Sequence, residues 1–127
     1  MVVADTTVWI EFFNDPESEE KQVIDLLIDE DDLALVGPVL AELLQGCRTA
    51  GEANAILDHV SALPFLEMNV SAWRRAGELS SSLRRKGTTL PLMDVIIAAL
   101  ALEHDAEVFT IDPHFRSIPG LKLHRPK

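Results

Sequence analysis

A single cysteine, Cys47, leaves no partner for an internal disulfide, so packing must hold the fold and a reducing cytoplasm is the expected home. Positive charge is scarce: 11 Lys and Arg stand against 21 Asp and Glu, a formal net of −10. Taken as a sum, that argues against nucleic acid as a ligand, because holding phosphates usually needs a basic surface. The sum hides an uneven distribution, however. Basic residues gather in Arg74 to Lys86 and in Arg116 to Lys127, while acids crowd Asp15 to Asp32, so a local basic patch is compatible with a negative whole. Long hydrophobic runs are missing as well. The longest uncharged apolar stretch, Leu33 to Ala41, is far short of the ~20 residues a membrane helix needs. No basic segment precedes an apolar one at Met1-Val2-Val3-Ala4, so no secretory leader is expected. Repeats, low-complexity tracts and linker-like runs are absent too, and a length of 127 residues predicts one domain, 1–127.

What is present is an alternation of short apolar runs with helical periodicity. Val2 to Ala4 reads as a buried strand stopped by Asp5-Thr6-Thr7, and Val8 to Phe13 as a short helix ending by Asn14-Asp15-Pro16. Ser18 to about Glu30 predicts an amphipathic helix with Val23, Leu26, Leu27 and Glu30 at i, i+3, i+4 spacing. Leu33 to Val36 is a second strand, after which Gly37-Pro38 turns into a helix through Leu44 that Gly46 ends. Glu52 to Ser61 is a helix, Phe65 to Met68 a third strand, and Ser71 to about Lys86 a long helix stopped by Gly87. Val108 to Ile111 gives a fourth strand, Asp112-Pro113 a turn, and Leu121 to Leu123 a possible fifth strand. Strands alternating with helices predict an α/β fold: a three-layer α/β/α sandwich with a short, mainly parallel sheet of four or five strands.

The chain is organised around Leu90 to Leu102. Pro91 suits a first helical position, and from Val95 to Leu102 the helix is apolar on every side, the pattern of a buried rod. Asp94 stands in its first turn. A carboxylate among Leu92, Met93 and Val95 must be paired, held by the helix N-terminus, or used on a ligand.

Open parallel sheets bind ligands beyond the carboxyl ends of their strands. Asp5 follows the first strand and Asp112 the fourth, while Glu42 and Asp94 lie near the N-termini of helices that start at that same edge. Each has a plainer explanation: Asp5 as a helix cap, Asp94 as a complement to the helix dipole, Asp112 as a turn former, Glu42 as a solvated acid. The balance shifts because Asp94 and Glu42 both sit among apolar neighbours, the latter beside Leu40, Leu43 and Leu44. Crowded, buried carboxylates cannot all stay ionised without a cation. An all-oxygen donor set suits Mg²⁺ or Mn²⁺, and no His and Cys cluster competes. Such an ion could orient a phosphodiester, activate a water and stabilise the leaving oxygen.

The segments Ala4-Asp5-Thr6-Thr7-Val8-Trp9-Ile10, Glu42-Leu43-Leu44-Gln45-Gly46, Lys86 to Asp94 running into Ile97-Ala98-Ala99, and Thr110-Ile111-Asp112 with Phe115 together resemble a PIN-domain nuclease of the VapC toxin type. The resemblance implies a Mg²⁺-dependent endoribonuclease acting on transfer or ribosomal RNA, working as a homodimer and silenced by a cognate antitoxin. By position it makes Asp5 and Asp94 the metal ligands, lets Glu42 and Asp112 complete the pocket, and gives Thr110, with Thr6, a supporting role. Many relatives carry a further acid after the Asp112 position, where Pro113, His114, Phe115 and Arg116 stand here, so one tightly held ion is expected. Arg84-Arg85-Lys86 is the first choice for touching an RNA backbone, although basic residues also favour a helix C-terminus. Trp9, Phe12 and Phe13 are split between core and an antitoxin groove, Trp73 is assigned to core or dimer contact, and Cys47 to a small buried position. Rival readings fit less well. A phosphoacceptor signalling domain would want adjacent acids after the first strand and a lysine near the last. An aspartyl phosphatase would want an acid at Thr7. A PIN domain kept only for binding would be favoured by loss of an acid, and all four remain.

Overall fold

The computed structural model describes residues 1–126, and Lys127, the end of the second basic group, lies outside them. Four strands, β1 (Val2–Ala4), β2 (Leu33–Val36), β3 (Phe65–Leu66) and β4 (Glu107–Phe109), form one parallel sheet in the order β3-β2-β1-β4. Between them run α1 (Thr6–Asn14), α2 (Glu19–Asp29), α3 (Gly37–Gln45), α4 (Ala50–Val60), α5 (Val70–Arg85) and α6 (Leu92–Glu103). β1 and β2 are buried at every position, which accounts for their unbroken apolar sequences. From β1 the chain steps outward to β2 and β3, then returns past β1 to add β4 on the far side. Right-handed crossovers put connections of opposite sense on opposite faces, so the α5–α6 pair covers the face that α1 and α2 leave open. This is the predicted α/β/α arrangement.

The reversal of strand order falls between β1 and β4, with Ala4 opposite Phe109. Crevices at such switch points are where open α/β sheets take ligands. α6 is the central helix: Val95 through Ala101 are all buried, as an all-round apolar sequence requires.

Several boundaries differ from the sequence expectation. Thr6 and Thr7 are the first turn of α1 and not a polar stop, because the Asp5 side chain caps that helix by accepting from the Val8 N–H. α2 buries Ile24 and Leu27 and leaves Leu26 exposed, a face rotated from the predicted one. Gly37-Pro38 makes no turn; β2 runs straight into α3, with Pro38 in the first turn where its missing N–H costs nothing. Gly46 ends α3 in a right-handed conformation and needs no positive φ, whereas Gly87 after α5 adopts φ 85°. β3 has two residues and not four. Pro91 is the residue before α6 and not its first, and Leu92 is 58% exposed, so it does not help bury Asp94. β4 stops at Phe109, which frees Thr110 and Ile111, and Pro113–Ser117 forms a 3-10 helix capped by Asp112 instead of a simple turn. Leu121 to Leu123 contributes only a bridge from Leu123 to Val108, not a fifth strand. Trp73 is 56% exposed, which removes it from the core, and Cys47 is only partly buried. Trp9 and Phe12 are core, while Phe13 is half-buried.

Candidate active site

Asp5 leaves β1 at the crevice. Its backbone N–H donates to the Phe109 carbonyl at 3.0 Å, so the strand ladder itself fixes where the side chain starts. The carboxylate is 2% exposed yet fully engaged. Oδ1 accepts from the Thr7 hydroxyl at 2.6 Å and the Val8 N–H at 3.2 Å, and Oδ2 accepts from the Thr110 hydroxyl at 2.6 Å. Capping and site roles therefore coincide in one side chain. Thr110 in turn accepts from the Asp112 N–H at 2.9 Å. One hydroxyl thus connects the ends of the two strands that flank the switch point.

The other acids are held more loosely. Glu42, half-buried in the second turn of α3, accepts from the Thr6 hydroxyl at 2.7 Å. Asp112 accepts from the His114 N–H at 2.9 Å and lies 3.1 Å from its Nδ1. Asp94, in the first turn of α6, is half-buried. Thr7 and His114 were not singled out by sequence. Thr7 had a usable signal, since a hydroxyl two residues after an N-cap Asp sits within reach of its carboxylate; His114 had none.

Electrostatics ties the group together. Burial, together with the negative charges of Asp112, Asp5 and Glu42, pushes the Asp94 carboxyl up to about 6, with His114 opposing them. Burial also raises Asp5 against the pull of its three hydrogen bonds, and Asp112 adds to the rise. The sheet edge has therefore brought together all four acids predicted from sequence, closely enough for each of the other three to act on Asp94.

They do not form a ready-made cage. Among the described residues no three Asp, Glu, His or Cys side chains are grouped as ion ligands. Hydrogen bonds explain this: Asp5, Glu42 and Asp112 each direct oxygen toward a hydroxyl, amide or ring donor. The repulsion felt at Asp94 is the better guide to fit, because a nearby cation would relieve it. Oxygen donors, and a carboxyl whose charged form is disfavoured as it stands, suit a hard divalent cation.

The geometry has counterparts. A PIN domain model matches residues 2–121. A VapC ribonuclease of Mycobacterium bovis is 29% identical over 119 residues, covering 91% of this chain and 89% of its own. A VapBC2 complex of Rickettsia felis, solved on a promoter DNA fragment, superposes with a TM-score of 0.85 at 25% identity over 100% of both chains. A DNA-bound VapBC of Salmonella typhimurium follows with a TM-score of 0.83 at 23% identity, over 97% of this chain and 96% of that one.

Proposed function

Because the chain belongs to the PIN domain family, we propose that it is a single PIN-like nuclease domain, 1–127, of the VapC type: a divalent-metal-dependent endoribonuclease that hydrolyses RNA phosphodiester bonds, held in check by a cognate antitoxin. The observation that carries this reading is the coupling of Asp94 to Asp112, Asp5 and Glu42 at the β1/β4 crevice. The VapC ribonuclease relatives favour RNA as substrate. Mg²⁺ is the preferred ion and Mn²⁺ the alternative. Asp5 and Asp94 would hold it, with Glu42 and Asp112 completing the acidic pocket. When bound, such an ion supplies Lewis-acid polarisation and charge neutralisation at the scissile phosphate. The protein's own part is positional. Thr7, Thr110 and the Val8 N–H hold Asp5 at a fixed angle, Thr6 holds Glu42, and the buried α6 anchors Asp94.

Two surfaces support the partners. A groove of about 520 Å³ between α1, α3 and α4 is lined by Ile10, Phe13, Leu43, Ala55 and Ile56 and reaches Glu42, so a protein segment lying there would arrive at the acids. This suits an antitoxin, the chain that accompanies VapC in the solved VapBC structures. A second apolar face runs from Phe65, 43% exposed, across Met68, Trp73, Met93 and Ile96. We assign it to a homodimer, which gives Trp73 its use. Sedimentation of the purified protein should give twice the mass of one chain, falling to one for Trp73→Glu; a wild-type monomer would overturn the dimer. No helix of the described residues is long and apolar enough to cross a membrane, and a cytoplasmic location fits an RNA substrate.

Sequencing RNA ends from cells expressing the wild type or Asp94→Asn tests the activity. Discrete new ends in transfer or ribosomal RNA are expected only with the wild type. In vitro, the same cuts should vanish on chelation and return with added Mg²⁺. Identical ends from both proteins would defeat the assignment.

A further inference from the structure

The net charge of −10 leaves open how this molecule grips a polyanion. Five of its 11 Lys and Arg are already used. Lys21 pairs with Asp25, Arg48 with Glu52, Arg74 with Glu78, Arg75 with Glu103 and Lys122 with Asp105. Among the described residues, Arg84, Arg85, Lys86, Arg116 and Arg125 make no ion pair, on a chain with nearly twice as many acids as bases; of these, Arg116 and Arg125 stand next to the acidic site. Both line one concave opening of about 490 Å³, shared with Thr110, Asp112, Pro113 and His124.

The fold builds that opening deliberately from distant segments. The Val108 N–H donates to the Lys122 carbonyl at 2.9 Å and the His124 N–H to the Val108 carbonyl at 2.8 Å, which lays the C-terminal segment along the outer edge of β4. Glu107 holds the His124 ring at 2.8 Å, and that ring packs edge-on to Phe109 at 5.8 Å. Arg125 is thereby delivered beside the 3-10 helix that carries Arg116. The opening and the acidic site have Thr110 and Asp112 in common, so whatever occupies one is adjacent to the other.

From this juxtaposition we infer that Arg116 and Arg125 form a clamp for a phosphate of the single-stranded RNA next to the scissile one. The clamp rests on the ribonuclease reading above and gives it a route around the charge objection: two unpaired guanidiniums share an opening with Thr110 and Asp112, beside the acids. Guanidinium forks match phosphate oxygens with paired donors. Arg84, Arg85 and Lys86 are the competing choice. They sit in the last turn and cap of α5, where a helix C-terminus favours basic residues without any ligand.

The test measures binding of a short fluorescein-labelled single-stranded RNA by anisotropy, in the Asp94→Asn background with Mg²⁺, across a salt series. Arg116→Ala with Arg125→Ala should weaken binding about tenfold and flatten the log–log salt dependence by about 1, the signature of lost phosphate contacts. Both side chains are exposed, so the melting temperature should not move. Hydrolysis of bis(p-nitrophenyl) phosphate, which has no neighbouring phosphate, should be unchanged by the same pair in the otherwise wild-type protein. RNA affinity and salt slope equal to those of the parent overturn the clamp, as does a loss seen only on replacing Arg84, Arg85 and Lys86. In either case an RNA-binding parent leaves the nuclease reading standing. A parent that binds no RNA overturns both.

Discussion

Asp94→Asn should raise the melting temperature of the metal-free protein at neutral pH by about 3 °C while lowering RNA cleavage at least about 100-fold. The sign follows from linkage. Asp94 titrates near 6 in the fold and near 3.8 as an ordinary carboxyl, so the folded state holds its proton more tightly than the unfolded state does. Such a group favours folding below the ordinary value, and that contribution is lost as pH rises through about 6. At neutral pH the full penalty of ionising Asp94, from burial first and then from Asp112, Asp5 and Glu42, is present. Allowing for the screening of a half-exposed group, it is about 2 kcal/mol. The asparagine escapes that penalty but forfeits the favourable placement of a charge in the first turn of α6, under about 1 kcal/mol. The net gain is about 1 kcal/mol, which sets the expected shift in melting temperature. The gain should shrink toward pH 4 as the wild-type carboxyl protonates. Added Mg²⁺ should stabilise the wild type more than the variant, because only binding to the folded state shifts unfolding. An equal or lower melting temperature for Asp94→Asn at neutral pH would count against the crowding; equal Mg²⁺ shifts would remove Asp94 from the ligand set.

Asp5→Ala should move stability the other way, lowering it by about 2–4 kcal/mol along with activity. Alanine leaves the Thr7 and Thr110 hydroxyls and the Val8 N–H without their acceptor, at about 1–3 kcal/mol for a buried unmet donor and about 1 for a lost cap. Relief of burying a carboxylate offsets part of this. Thr110→Val separates the contributions. It keeps the shape, removes the donor to Asp5 Oδ2 and the acceptor of the Asp112 N–H, and should cost about 1–2 kcal/mol. Calorimetry on the two variants checks both figures. An Asp5→Ala protein as stable as the wild type would mean that these bonds do not hold the aspartate in place. Burial raises both acids, yet they differ in what else acts on them: three donors oppose the rise at Asp5, whereas neighbouring negative charges add to it at Asp94.

That difference was not legible in the sequence, although both positions were. Strand ends and helix starts follow from apolar patterning, so the sheet edge that gathers Asp5, Glu42, Asp94 and Asp112 could be deduced. Thr7 lies two residues from Asp5 and could have been matched to it locally, but the meeting of Thr110 with Asp5 depends on register between β1 and β4, which no local signal reports. The misplaced face of α2 has a similar origin: Leu26 and Ile24 are both apolar, and which is covered depends on how α2 packs on its neighbours. Leu92 was misjudged, and Trp73 left open between core and dimer contact, because an apolar side chain reads the same in either setting. β3 came out short because its pairing is limited by what β2 offers, Leu35 and Val36.

Asp5 and Thr110 are 105 positions apart, yet one hydrogen bond joins them across the crevice. A ribosome delivers the first of these residues long before the second. Until Glu107–Phe109 has emerged and docked, β1 has an open edge and Asp5 lacks one of its three donors. A nascent or prematurely terminated polypeptide therefore contains most of the hydrophobic interior but neither the Thr110 hydroxyl nor Asp112. The acidic crevice is thus among the last features this polypeptide completes during synthesis.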